Sequence, residues 1–295
     1  MSQIQIVSDS FRDTLDRLVE SSISGYYNPY NTFKWPENLP EDQWWMSRDL
    51  LSVYDTQSIK QLTQLQLKAL SKWESINFYS LNIHGIRELL IEVIKRIHTL
   101  GFESSSEFFH HFVGEENEHM WLFSTFCLKY GSKIYPNKKI QWEQDTNIEP
   151  EIENFLVFSK IFIFEEIVDH FNVRMGKDDS LHPLIQEINN VHHQDESRHI
   201  AFGRETIKQL YGQLRECCSS EKLLYVNNYL KRYITASLES LYNPSMYRDA
   251  GIDEPYKFRT HVLQDQARKE HHRRFLQRTT NFLTKNNIIL GENFI

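Results

Sequence analysis

Two tetrapeptides in this chain repeat one arrangement of side chains able to hold a metal: Glu116-Asn117-Glu118-His119 and Glu196-Ser197-Arg198-His199. In a helix, residues three apart lie within one turn on one face, so each Glu-x-x-His can aim a carboxylate and an imidazole at the same ion. A single such tetrapeptide is a common surface pattern. Two of them, each inside a long helical segment, point to a pair of ions held between helices. His192 precedes Glu196 by four residues and His199 by seven, on the same stripe, and is a third imidazole candidate. His193 is turned about 100° away from that stripe and is expected at the surface. Metal-bound histidines usually donate their second ring N–H to a carboxylate. Asp195 is placed to serve His119 in this way, and Glu115 to serve His199.

A two-metal bundle of this kind also takes one carboxylate from each of its two other helices. If segments 58–99 and 104–130 form an antiparallel hairpin turning near residue 102, Glu88 comes level with Glu116. The same construction on 148–175 and 181–212 brings Glu165 level with Glu196. Glu74 competes on the first helix, but it lies about 21 Å before Glu88 along the axis at 1.5 Å per residue. Glu166 competes with Glu165, and a single residue of register separates them. The expected ligands are therefore Glu88, Glu116, His119, Glu165, His192, Glu196 and His199. Hard carboxylates with borderline imidazoles suit iron, manganese and zinc. Four carboxylates balance most of the charge of two divalent ions, which favours iron and dioxygen over a closed structural zinc site.

The elements that must position these residues are helices. Apolar residues recur at helical spacing, as at Ile86, Leu89, Leu90, Val93, Ile94 and Ile97. The few glycines and prolines gather between such runs. Helices are expected at about 8–22, 58–99, 104–130, 148–175, 181–212, 219–241 and 256–286, with Ser104 and Glu107 as a capping box for the third. The expected fold class is all-α: a four-helix bundle over about 58–212, with additional N- and C-terminal helices, in one domain spanning 1–295. Trp35, Trp44 and Trp45 are expected to pack over the bundle as a cover. Phe112, Phe123, Phe164 and Phe171 are candidates to line a cavity beside the metals, with simple core packing as the competing role. Nothing in the sequence brings Tyr79 to a metal as a radical site.

Composition removes several function classes. The chain of 295 residues is 40% hydrophobic and 25% charged, which suits a packed globular protein rather than a disordered one. A net charge of −7 offers no general attraction to nucleic acid or anionic lipid, and the basic group Arg268, Lys269, Arg273 and Arg274 reads as a solvated helix end. Three cysteines, two of them adjacent, do not make a disulfide framework. The N-terminus lacks a signal-peptide pattern and no apolar run reaches membrane-spanning length, so a cytoplasmic protein without nucleic-acid or membrane partners is expected.

With these residues in view, the chain resembles the p-aminobenzoate N-oxygenase family of di-iron arylamine oxygenases, within the ferritin-like superfamily. The resemblance rests on Glu116-x-x-His119, the lone helix glutamate Glu165, and His192-x-x-x-Glu196-x-x-His199 with its additional histidine. It is supported by the 31-residue interval from Glu165 to Glu196 and by the flanking segments WWMSRDLLSVY and YNPSMYRDAGID. The interval from Glu88 to Glu116 is shorter than the family pattern. The resemblance implies a di-iron centre, O2 as co-substrate, a bridging peroxide between ferric ions, and transfer of oxygen to a small organic substrate, foremost an aromatic amine. It also implies an external electron donor. A homodimer is expected from the long apolar helices and the C-terminal extension. Two other readings remain open: hydroxylation or C–H and C–C oxidation on the same core, and a ferroxidase or iron-storage role.

Overall fold

The computed structural model describes residues 8–137 and 148–291. Helix α1 (Asp9–Gly25) opens at Ser8, whose hydroxyl accepts from the Phe11 amide, and the short α2 (Pro29–Thr32) opens at Asn28. The long α3 (Gln64–Ile94) starts later than expected, after a separate tight turn at Gln57–Gln61. It does so because Thr63 and Gln66 form a capping box. The Thr63 hydroxyl accepts from the Gln66 amide at 3.2 Å, and the Gln66 side chain accepts from the Thr63 amide at 3.1 Å. The capping box expected from Ser104 and Glu107 is not made. A tight turn occupies Glu103–Ser105, and α4 (Ser106–Phe126) begins at Ser105 with no side-chain cap.

Helices α5 (Pro150–Gly176) and α6 (Pro183–Cys217) each carry proline in the first turn, where its missing N–H costs nothing. The C-terminal part comprises α7 (Ser220–Ser240), α8 (Pro244–Asp249), α9 (Pro255–Gln264) and α10 (Gln266–Lys285). The single helix expected over 256–286 is broken at Asp265. Its backbone is extended, and its carboxylate accepts from Ala267 N at 3.0 Å and from Gln57 N at 2.8 Å, so it caps α10 and anchors the segment before α3.

Helices α3 to α6 form the bundle. Ile76 packs against Gly131, the Tyr79 ring stacks on Phe123 at 5.0 Å, and His98 just beyond α3 meets His110, so α3 and α4 run in opposite directions. On α4 and α6, His119 pairs with Asp195 while Glu115 pairs with His199, so these two are also opposed. Helices α3 and α6 consequently run the same way across the bundle. Close approach uses small residues: a Cβ on Gly203 of α6 would stand 3.2 Å from the Cβ of Phe162 on α5, and one on Gly85 would enter the Phe164 ring at 2.5 Å. The aromatic segment before α3 does cover the bundle. Trp45 meets Phe126 and Tyr130, and Trp35 meets Trp121 and Tyr130. Trp44 sits further out, under the side chains of Arg48 and Lys68. Among the described residues there is no helix long and apolar enough to cross a membrane.

Candidate metal centre

Each bundle helix turns a repeating three-four stripe inward, and in α4, α5 and α6 ionisable residues interrupt it. On α4 the stripe is Phe112, Glu116, His119, Phe123, Phe126. On α5 it is Phe158, Phe162, Glu165, Asn172, and on α6 it is Ile185, Asn189, His192, Glu196, His199, Gly203. All of these are buried. The polar members therefore meet at one height in the middle of the bundle. Two overlapping groups result, His119 with His192 and Glu196, and Glu116 with Glu165, Glu196 and His199; within each, the potential ligand atoms lie within 4.8 Å of one another. His192 Nε2 lies 2.6 Å from Glu196 Oε1, and His199 Nδ1 lies 2.8 Å from Glu116 Oε1. His119 Nδ1 lies 3.5 Å from Glu116 Oε2 and 3.8 Å from Glu196 Oε1.

Many of these approaches are not hydrogen bonds. Both Glu116 oxygens, Glu165 Oε1, Glu196 Oε1, His119 Nδ1 and His192 Nε2 are buried and have no hydrogen-bond partner. Leaving such groups unsatisfied costs roughly 1–3 kcal/mol each, more for charged ones. Six lone-pair donors from three helices, facing a common space with nothing protein-borne to satisfy them, fit two metal ions. Three carboxylates and three imidazoles suit iron or manganese by donor hardness, and no thiolate is present in either group.

The outer contacts are equally specific. His119 Nε2 lies 2.9 Å from Asp195 Oδ2, and His199 Nε2 lies 2.8 Å from Glu115 Oε2, so each motif's imidazole is held by the carboxylate preceding the other motif. Both ligand faces are thereby Nδ1. Arg198 ties the two carboxylates together, at 2.6 Å from Glu115 and in contact with Asp195. Burial pulls His119 down, but the hydrogen bond it donates to Asp195 and the adjacent Glu116 carboxylate outweigh it and push its pKa up to about 10. Burial likewise works against His199, and Glu196 and Glu115 lift it well above the usual imidazole value. Burial beside Glu196 and Glu116 pushes Glu165 well up. Glu196 is penalised by burial too, but His192 and His199 hold it well below the ordinary carboxylate range. The metal-free centre is thus a proton store, and two cations must displace those protons.

Two supporting residues escaped the sequence reading. Asn172 follows Glu165 by seven residues, two turns on the same stripe, and its amide lies 2.7 Å from His192 Nδ1. Asn172 Oδ1 has no partner. With the amide turned over, that oxygen accepts from Nδ1–H and leaves the Nε2 lone pair facing Glu196. Arg198 sits inside the second tetrapeptide, whose pattern marks only Glu196 and His199.

Glu88 is corrected. It is exposed and accepts a hydrogen bond from Asn137 Nδ2 at 2.8 Å. The hairpin construction fixes height alone, and at position 88 the helix phase points outward. The other acidic residues of α3 are elsewhere: Glu92 pairs with Lys95 and Arg96, and Glu74 is buried against Ser52. Glu166 pairs with Arg204 and so lies off the centre, as does His193, which is half-buried against Asp169. Of the aromatic candidates, Phe112 and Phe123 touch the imidazoles of His199 and His192 at 4.4 and 4.8 Å. Phe164 packs over Gly85.

Phe171 stacks on Phe78 at 4.7 Å and the pair borders a cavity that also meets Ser52, Glu74, Arg268 and His272. Its volume of about 20 Å³ admits roughly one water. Burial lifts the Glu74 carboxyl from its ordinary 4.5 to about 7, against two lowering contacts from Ser52. Between those pH values the folded protein keeps a proton that the unfolded chain has lost. The stability this contributes is complete below pH 4.5 and gone above about 7, a span of about 3 kcal/mol at 1.36 kcal/mol per unit. Denaturant titrations of metal-free Glu74→Gln should therefore show a flatter pH profile between 4.5 and 7 than wild type. Parallel profiles would mean that Glu74 is ionised throughout.

Comparison with known proteins places the chain in a family and shows its fold. The sequence model of the family described as P-aminobenzoate N-oxygenase AurF matches residues 8–286. No curated protein sequence matches the chain. Among solved structures, a variant of an R2-like ligand-binding oxidase with an aerobically reconstituted Mn/Fe cofactor superposes at a TM-score of 0.54 and 15% identity, covering 98% of this chain and 99% of that one. A second variant of that name, reconstituted anaerobically, gives a TM-score of 0.55 at 15% identity over 94% and 93% of the two chains. The ferritin-like fold is common to all three chains.

Proposed function

We propose, for a chain that belongs to the P-aminobenzoate N-oxygenase AurF family, that its centre holds two irons and uses O2 to oxygenate the nitrogen of a small amine, foremost an arylamine. The coarser statement, an oxidoreductase with a two-metal centre in a ferritin-like bundle, follows from the family and the fold together. The observation that carries the finer one is the set of unpartnered carboxylate and imidazole lone pairs at the bundle centre. When bound, the irons supply the electrons and Lewis acidity that O2 reduction requires, and an external donor must return them to the ferrous state.

The protein's own residues do the rest. Asp195 and Glu115 fix the ring planes of His119 and His199, so that both Nδ1 atoms point inward. Phe108, Phe112 and Phe123 pack against the imidazoles and exclude water. The stacked pair Phe78 and Phe171 gives the cavity an aromatic border, and the buried Arg268, whose Nε is unpartnered, can receive an anionic substituent. Since the cavity admits about one water, a substrate must displace side chains on entry.

Anaerobic loading with ferrous iron, metal counting, and product analysis by mass after mixing with ¹⁸O2 and an arylamine test the reading. Two irons per chain and ¹⁸O in a hydroxylamine or nitro product support it. Label appearing instead on carbon moves the activity to hydroxylation. A second reading is a mixed manganese–iron centre, favoured by the Mn/Fe cofactor named for the solved structures of similar fold. Competition loading with both metals separates the two.

A further inference from the structure

Three bundle helices bring carboxylates to the centre and α3 brings none, since its acidic residues Glu74, Glu88 and Glu92 are all engaged elsewhere. The inward stripe of α3 is Ser75, Tyr79, Asn82, Ile86 and Val93, every member of it buried. Asn82 is its polar member at mid-bundle, 1% exposed. Its Nδ2 donates to the Phe78 carbonyl at 2.8 Å, which commits that end of the amide, and its Oδ1 is buried with no hydrogen-bond partner.

Register locates it. Tyr79 OH accepts from Asn189 Nδ2 of α6 at 2.8 Å, and α3 and α6 run the same way. Three residues further along each helix, about 4.5 Å at 1.5 Å per residue, stand Asn82 and His192. Asn82 is therefore level with the His119 and His192 group, at the height where a bundle of this kind needs a donor from its remaining helix.

We infer that Asn82 is the α3 ligand of the two-metal centre, contributing a neutral amide oxygen where such a bundle ordinarily contributes a carboxylate. This rests on the two-metal reading above. The ligand set is then three carboxylates, three imidazoles and one amide. An amide oxygen is a hard donor accepted by divalent cations, but it adds no charge. The ion beside His119 and His192 is consequently held with less negative charge than its neighbour, and the two binding steps should separate in affinity.

The test is anaerobic titration of metal-free protein with cobalt(II), followed by visible absorption and by calorimetry, for wild type, Asn82→Asp and Asn82→Ala, with far-UV circular dichroism as a fold control. Asn82→Asp keeps the side-chain shape and adds the charge. It should tighten the weaker of two sites by about tenfold or more, while Asn82→Ala loosens the same site and leaves the tighter one within about threefold, given the ~10–100-fold shifts typical when even indirect contacts change. Two sites in wild type with unchanged affinities in both variants would overturn the assignment of Asn82 alone. Fewer than two sites in wild type would overturn the two-metal reading and this inference with it. Should Asn82→Ala fail to fold, Asn82→Asp decides the matter by itself.

Discussion

Replacing Glu196 by alanine should leave the protein unable to hold either ion. Glu196 is the one residue common to both ligand groups. Its Oε1 lies 2.6 Å from His192 Nε2 and its Oε2 lies 3.3 Å from His199 Nδ1, so its two oxygens face the two halves of the centre. Glu165 belongs to one group alone, while Glu116 reaches the other half more distantly, its Oε2 3.5 Å from His119 Nδ1. Losing Glu196 removes a charge from both ions at once, and also leaves the protons on His119 and His199 without one of their counter-charges. The affinity for each ion should fall by more than about 100-fold, beyond the ~10–100-fold known for outer contacts. Glu165→Ala should weaken chiefly the ion beside His199. Metal counting after anaerobic loading and gel filtration reads both. Retention of one tightly held ion in Glu196→Ala would show that Glu196 serves a single metal.

Much of this centre was legible because its grammar is local. Glu116 with His119, and His192 with Glu196 and His199, are related by helical spacing alone, and a helix keeps such relations whatever it packs against. Glu165 needed one further step, the hairpin height, and its face happened to coincide with the inward stripe of α5. Glu88 shows the limit of that step. Height along a hairpin depends on a sum of residue numbers, whereas facing depends on phase. A helix such as α3, buried over most of its circumference, offers little amphipathic contrast from which phase can be read. Asn82 is hidden for a different reason: a bundle of this kind ordinarily contributes a carboxylate there, and an asparagine in an apolar stripe reads as an ordinary helix-bonded amide. The outer partners Asp195 and Glu115 were found because they adjoin the motifs. Asn172 was not, because it is linked to His192 through space alone. The fold was legible from periodicity, while its helix ends were decided by capping at Thr63 and Asp265, which compete with equally plausible caps nearby.

Asp195→Ala and Glu115→Ala should weaken different ions, and by unequal amounts. Asp195 stands behind His119 and Glu115 behind His199, so each variant frees the imidazole of one half of the centre. Both should lower the affinity of that half by roughly 10–100-fold. Asp195 is the more buried of the two, with 4% side-chain exposure against 13% for Glu115, so water replaces it less well and its loss should lie at the upper end. The size of the effect should also depend on pH. In the metal-free protein Asp195 helps to hold a proton on His119 up to about pH 10, and a metal must displace that proton. Removing Asp195 relaxes the competition while loosening the ring. The affinity ratio of wild type to Asp195→Ala should therefore be smallest at acidic pH and grow towards alkaline pH. Cobalt(II) titrations at pH 6.5 and 8.5, roughly two units apart on either side of neutrality, are sufficient to see the trend. A ratio independent of pH would mean that His119 is already neutral without metal. Equal weakening of both ions by either variant would mean that Arg198, which joins Asp195 to Glu115, makes the two halves respond as a single unit.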